Sequence, residues 1–201
     1  MQNRWVIVGC GGHARSIADV ILYNDQNANI TFLDENAKPN EKILGFPVVS
    51  DFSITDEKVI IGVGDNKIRE KLSQKYYSNL FSVISNRAYI GRDVKIGKGV
   101  FVAHNAYIGV LSTIDDFSII NTGAIVEHEC NIARSCFVGP NATLCGKVRI
   151  MDRSFIGAGA NIKDNVSICS DIVVGAGATI VNNITVEGTY VGCPAKLLEL
   201  V

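Results

Sequence analysis

From Ile90 to Ile180 an aliphatic residue recurs at every sixth position without a slip, from Ile90, Ile96 and Val102 through Ile156 to Val174 and Ile180, sixteen hexads in all. Four places after each beat stands a small or branched residue, as in Ala106, Ser112, Ala124, Cys130 and Cys136. The helical period of about 3.6 and the strand period of about 2 both fail to produce a strict period of six. A coil of three short flat strands does produce it, with one hexad on each side of a triangular turn and about 18 residues to the coil. The repeat therefore specifies a parallel β-helix, and it also states which residues stack. Positions 18 apart lie over one another, about 4.8 Å away along the stack.

Glycine follows the beat at Gly91, Gly97, Gly109, Gly139, Gly157 and Gly175. Unusual backbone angles at the bends are the expected reason. Each inward beat residue should contribute roughly 1.5–3 kcal/mol by burial, before entropy is subtracted. Phe101, Tyr107, Phe117, Phe137 and Phe155 fall on or near the outer faces. Flat, partly apolar faces on a three-sided prism suit a C3 homotrimer. The beat weakens after Ile184, and Gly192-Cys193-Pro194-Ala195-Lys196 marks the exit.

Residues 1–85 follow a different pattern from residues 86–201. Trp5-Val6-Ile7-Val8 reads as a buried parallel strand, and it enters Gly9-Cys10-Gly11-Gly12-His13-Ala14 and then a helix with Ile17, Val20 and Ile21 on one face. Strands are expected at Ile30–Leu33, at Val59–Gly64 and, fourth, at Phe81–Ile84, with 36–57 mostly loop. Asp65 should cap a helix whose Ile68 and Leu72 share a face. Strand–helix–strand order gives a half-Rossmann-like α/β unit ahead of the coil.

The net charge of −1 argues against a polyanion partner such as nucleic acid. No apolar run is long enough to span a membrane, and the N-terminus lacks a secretion-signal h-region. The six cysteines form no CxxC pair. A reducing cytoplasm, with Cys130 and Cys136 as small core residues, is the expected setting. A three-histidine metal site is disfavoured, because His104 and His128 are 24 residues apart and so lie on different sides of the triangle.

Two places carry chemistry. Gly9-x-Gly11-x-x-Ala14 followed by Asp34 has the form of a phosphate-cradling turn. In a unit of this size it would suit one nucleotide diphosphate better than NAD, or it could be a turn that only packs helix on sheet. In the coil, Val126-Glu127-His128-Glu129-Cys130 places three polar residues between two inward ones. An imidazole flanked by carboxylates is equipped for general base work, with Glu129 the expected partner and Glu127 the reserve. Gly146 stacks one coil beyond His128. Its backbone N–H could hold an oxyanion, or it could be one more turn glycine.

The beat resembles the left-handed β-helix (hexapeptide-repeat) acyltransferases. With Val8 through Ala14, Leu33-Asp34, Gly62 through Arg69, and Asn121-Thr122 through Cys130, the chain is similar to the bacterial nucleotide-sugar acetyltransferases. These include the UDP-N-acetylbacillosamine, perosamine and dTDP-4-amino-4,6-dideoxyglucose N-acetyltransferases and the sialic acid O-acetyltransferases. The resemblance implies an acetyl-CoA-dependent N-acetyltransferase acting on the C4 amine of a UDP- or dTDP-linked 4-amino-4,6-dideoxy sugar. It further implies no metal, and active sites at the subunit interfaces of a homotrimer. It assigns His128 as base, Glu129 as its support, Gly146 as oxyanion donor and Asn121 as a nearby polar group. Gly9, Gly11, Gly12, His13, Asp34, Gly64, Asn66 and Arg69 would hold the nucleotide sugar. Gly146, Ile156, Gly175, Pro194 and Lys196 would contact CoA. Many members carry a second histidine nine residues after the base, where this chain has Phe137. O-acetylation of a sialic acid or similar sugar, and a non-catalytic nucleotide-sugar-binding prism, are the competing readings.

Overall fold

The computed structural model describes residues 3–198. Its first part is a sheet of order β3-β4-β2-β1-β5, from β1 (Arg4–Val8), β2 (Asn29–Leu33), β3 (Lys42–Ile43), β4 (Phe46–Val49) and β5 (Lys58–Ile61). All pairings are parallel except β3 with β4. Ile7, Ile30, Phe32 and Ile60 face α1 (Gly12–Asn24), while Val6, Val8, Val59 and Ile61 face α2 (Asn66–Lys75). A sheet covered on both sides explains the continuous apolar runs. At Gly62 an added Cβ would stand 2.6 Å from that of Ala14, so glycine lets α1 close onto β5.

One expectation is extended here and one is corrected. The stretch 36–57 is mostly loop, as expected, but it also holds the β3–β4 hairpin. Leu44 and Gly45 turn its corner with φ of 52° and 85°, the sign pattern of a tight hairpin turn. Pro47 inside so short a strand hides it from pattern reading. Residues Val83–Ile84 do form a strand, but it pairs with Phe101–Val102 as the first side of the coil and not with the N-terminal sheet.

The coil is a prism with three parallel-stranded faces, stacked at the 18-residue register Tyr107↔Ile125, Thr113↔Asn131 and Ile119↔Phe137. They are named here for their outward residues: a tyrosine face (Tyr89, Tyr107, Ile125), a polar face (Lys95, Thr113, Asn131, Arg149) and a phenylalanine face (Phe101, Ile119, Phe137, Phe155). Inside, beat residues from Ile108 to Val174 are buried in one continuous core. The inward serines are fully satisfied. Ser112 Oγ donates to the Glu127 carbonyl and accepts from the Cys130 N–H, and Ser118 does the same with Ala133 and Cys136. Cys130 and Cys136 imitate them, with each Sγ 3.1 Å from a carbonyl fifteen residues on.

The reason for the glycines after the beat also differs from the expectation. Left-handed angles fall two places later, and most residues there are not glycine: Asn105, Leu111, Glu129, Asn141 and Lys147 all have φ near 60°. Gly91, Gly109, Gly139 and Gly157 instead lie beneath the backbone of the next coil, where a Cβ would come within 2.6–2.7 Å of it. They are close-approach glycines.

The N-terminal part sits on the phenylalanine face. Phe101, Ile119 and Phe137 join the α1 core, and Phe117 joins the α2 side. These aromatics, expected to serve self-association, are covered by the chain's own first domain. Arg69 fastens the union. It is 1% exposed. Its Nε donates to the Phe117 carbonyl, Nη2 to those of Ser135 and Cys136 and to Asn66 Oδ1, and Nη1 to those of Val63 and Gly64. Asn66 Nδ2 adds bonds to the Arg153 and Ser154 carbonyls. The buried face of α2 is therefore polar (Asn66, Arg69, Ser73), and Ile68 is exposed. The expected cap is present, with Asp65 Oδ1 accepting from the Ile68 N–H at 2.8 Å.

Candidate active site

His128 stands on the edge between the tyrosine and polar faces. Its turn is held from below and from the side. Ser112 bonds both ends of it, Gly109 leaves room beneath the His128 N–H, and the Lys147 N–H donates to the His128 carbonyl at 2.9 Å. The ring is half exposed, and its Nδ1 lies 3.3 Å from Glu129 Oε1. Glu127 instead accepts from the His128 backbone N–H, so Glu129 is the ring's partner, as expected. A carboxylate beside Nδ1 accepts a hydrogen bond from the Nδ1–H, which keeps the proton on that nitrogen and leaves Nε2 with its lone pair. Nε2 in turn lies over Gly146, 2.5 Å from where a Cβ would stand. The Gly146 N–H has no acceptor among the described residues. A bare imidazole nitrogen beside a free amide is what acyl transfer through a tetrahedral oxyanion requires.

The same contact gives a test. In Gly146→Ala the new methyl meets the imidazole, and the ring must turn away from Glu129 or the turn must shift. A loss of activity of about 100-fold with an unchanged unfolding midpoint is expected. An alanine variant as active as the parent would remove Gly146 from the site.

Cys130 is buried directly behind the turn, and burial raises its thiol to about 11. It is no nucleophile at neutral pH. His104 lies on another edge. It bonds Ser85 Oγ through Nδ1 at 2.6 Å, faces Asp19 at 3.6 Å and stacks edge-on to Tyr23, tying α1 to the prism. Asn121 shares the edge of His104 and caps the Thr122 N–H with its own side chain. Within one chain it does not reach His128.

At the C-terminal ends of β1 and β2 a cleft of about 760 Å³ opens between Gly9, Asp34, Glu35, Asn36, Asp51, Phe52, Lys75 and Tyr76. Asp34 accepts from the Cys10 and Asn36 N–H groups. The bond from Asn36 is the chief cause holding its carboxyl below the usual range. Gly11, Gly12 and Gly64 have open space where a side chain would be. This end of the sheet is where parallel α/β units take nucleotides.

Three assignments are corrected by the geometry. The side chains of Arg69 and Asn66 are committed to each other and to peptide carbonyls, most of them across the domain junction, and offer nothing to a ligand. Ile156 is a beat residue with 0% exposure and faces the core. Gly175 lies beside Val191 but keeps part of its surface on the edge. Pro194 and Lys196, in contrast, are exposed on the final hairpin. Two small turns 18 residues apart, Gly157-Ala158-Gly159 and Gly175-Ala176-Gly177, leave the edge between the phenylalanine and tyrosine faces bare, with Ala158 and Ala176 exposed. Their spacing was visible in the sequence.

His13 does not face the open loop. Its ring packs edge-on against Phe101 at 5.2 Å, and its Nε2 is buried with no hydrogen-bond partner among the described residues. Burial, with the Arg69 charge second, pushes its pKa from 6.5 down to about 4. Between those values the unfolded chain binds a proton that the folded chain refuses, so stability rises with pH and is lost on acidification through this window. About 2–3 kcal/mol present at pH 7 should be gone by pH 4. In His13→Phe that part of the slope should vanish, which urea unfolding at several pH values would read; parallel slopes would contradict it.

Residues 4–76 match the family described as PglD N-terminal domain, and residues 129–164 match the bacterial transferase hexapeptide (six repeats). The perosamine N-acetyltransferase of Caulobacter crescentus, solved with CoA and GDP-perosamine, is 31% identical over 97% of this chain and 97% of that one, with a TM-score of 0.89. The chain belongs to the left-handed β-helix nucleotide-sugar N-acetyltransferases. This acetyltransferase is also similar to the acetyltransferase domain of PglB from Neisseria gonorrhoeae FA1090, solved with acetyl coenzyme A. The two are 29% identical over 98% of this chain and 100% of that one, with a TM-score of 0.92. It shares its fold with WeeI from Acinetobacter baumannii AYE, at 24% identity and a TM-score of 0.87. A curated relative, uncharacterized protein L142 of Acanthamoeba polyphaga mimivirus, is 34% identical over 116 residues, and the chain spans 23% of that protein's length. No described helix is long and apolar enough to cross a membrane.

Proposed function

We propose that this acetyltransferase moves an acetyl group from acetyl-CoA to the C4 amine of a nucleotide-linked 4-amino-4,6-dideoxy sugar. The observation that carries the reading is His128, with Nδ1 on Glu129 and Nε2 over the free Gly146 N–H. As the amine nitrogen bonds to the thioester carbon, His128 Nε2 takes its proton. The Gly146 N–H receives the developing oxyanion. When the carbon–sulfur bond breaks, the imidazolium returns the proton to the departing thiolate. The products are the amide and free CoA, and no acyl-enzyme forms.

The edge that carries α1, where Arg15, Ser16 and Asp19 lie beside His104 and Thr122, and the edge that carries His128 stand on opposite sides of the tyrosine face. The first domain leaves that face uncovered, with Tyr89 and Ile125 exposed on it and Val110 and Leu111 exposed on the adjoining His128 edge. An apolar patch of this kind suits association. A threefold arrangement through it brings the His128 edge of one chain beside the bare Ala158–Ala176 edge of the next, where α1 and the glycine loop sit. A homotrimer with shared sites is therefore the arrangement that unites the two halves. The smooth edge suits a long thin pantetheine chain, and the cleft around Asp34 suits a nucleotide. Six free thiols and these two substrates accord with a cytoplasmic enzyme.

The test is a panel of UDP-, dTDP- and GDP-linked 4-amino-4,6-dideoxy sugars with acetyl-CoA, following thiol release, with hydroxy sugars alongside. Turnover of an amino sugar is expected. Turnover of hydroxy sugars alone would replace N- with O-acetylation, and nucleotide-sugar binding without acetyl-CoA binding would make the prism a binding module.

A further inference from the structure

The ring of His128 depends on Glu129, and Glu129 depends on one other group. Its Oε1 faces the imidazole, and its Oε2 lies 3.7 Å from Lys147 Nζ. Among the described residues nothing else touches that carboxylate. Lys147 stands one coil on, directly over Glu129, and both occupy the left-handed place of their turns with φ of 62° and 60°. Lys147 thus grips the catalytic turn twice, by its backbone N–H on the His128 carbonyl and by its ammonium on Glu129.

We propose that Lys147 is a positioning residue for the acetyl transfer, holding the Glu129 carboxylate against His128 Nδ1 and so keeping Nε2 aimed over Gly146. The inference rests on the reading of His128 as base. Both members of the Lys147–Glu129 pair are about half exposed, and such pairs add little to stability. What this pair fixes is direction. A half-exposed carboxylate released by its lysine swings into water, and the imidazole loses the partner that selects its tautomer. The alternative task for Lys147 is a phosphate of CoA. It lines a small polar cleft with Arg149, Asn165 and Ser167, and a phosphate held there would be felt in binding, not in turnover.

A double-mutant cycle separates these roles. Steady-state kinetics would be measured for Lys147→Met, Lys147→Arg, Glu129→Gln and the double variant, with acetyl-CoA and the amino sugar that turns over. Lys147→Met should lower kcat about 5–10-fold, with KM for both substrates within about twofold. Lys147→Arg should restore most of it. The double variant should be no slower than Glu129→Gln alone, because the lysine has nothing left to hold. Multiplying losses in the double variant, or a raised KM for acetyl-CoA with kcat intact, would overturn the proposal, the latter in favour of phosphate binding. Near parental activity in His128→Ala would instead remove the base itself, so the two failures are distinguishable.

Discussion

Replacing His128 by alanine should lower kcat by about 1,000-fold while leaving KM for both substrates within a few fold. The imidazole accepts its proton only as the carbon–nitrogen bond forms, so its loss falls on the transition state and not on binding. The protein should otherwise be intact. The His128 side chain is 51% exposed, and the contacts that shape its turn are made by Ser112, Gly109 and the Lys147 backbone. An unfolding midpoint within about 2 °C of the parent is therefore expected. Kinetics of thiol release and a thermal melt on the same preparation check both halves. An alanine variant within about tenfold of the parent would mean that water or another group takes the proton.

Arg69→Met should have the largest effect on stability. The guanidinium is buried, and burial lowers its pKa only to about 10, so it is charged at neutral pH. Every bond it makes goes to a carbonyl or to Asn66. Methionine of similar length would leave the carbonyls of Phe117, Ser135 and Cys136 without this donor, at an interface closed to water. Losing one side of such a buried charged network costs about 3–5 kcal/mol, or about 10 °C in a chain of this size. Arg69→Lys keeps the charge but not the planar fork, and it should recover only part of the loss. Calorimetry on the three proteins would decide; a methionine variant melting with the parent would show that the apolar contacts of Phe101, Ile119 and Phe137 suffice alone.

What could be read before the structure was what periodicity fixes. The beat specified every strand of the prism from Ile90 to Ile180, and column counting put Gly146 over His128 and His104 on another edge. It also implied that Ile156 faces the core, a consequence that the family likeness did not respect. Arg69 was out of reach for a different reason. A buried arginine is usually traced through an acidic partner, but this one binds peptide carbonyls, which every sequence contains. The glycines after the beat were visible but not their purpose, since close approach and left-handed angles both select glycine and only the stacked backbone separates them. The β3–β4 hairpin escaped notice through brevity, with strands of two and four residues and a proline in the longer one.

The tyrosine face has a consequence for genetics. It separates the His128 edge from the glycine loop, so in the proposed threefold assembly every site draws its base from one chain and its nucleotide cleft from the next. A lesion in either half, carried by all chains, silences all sites. Two such lesions carried on different chains do not, because mixed assemblies contain boundaries at which both contributing halves are sound. Alleles that are each inactive alone can then complement one another, at about a quarter of the sites when the chains mix evenly. Dominance and rescue would follow from which side of that face a lesion falls on.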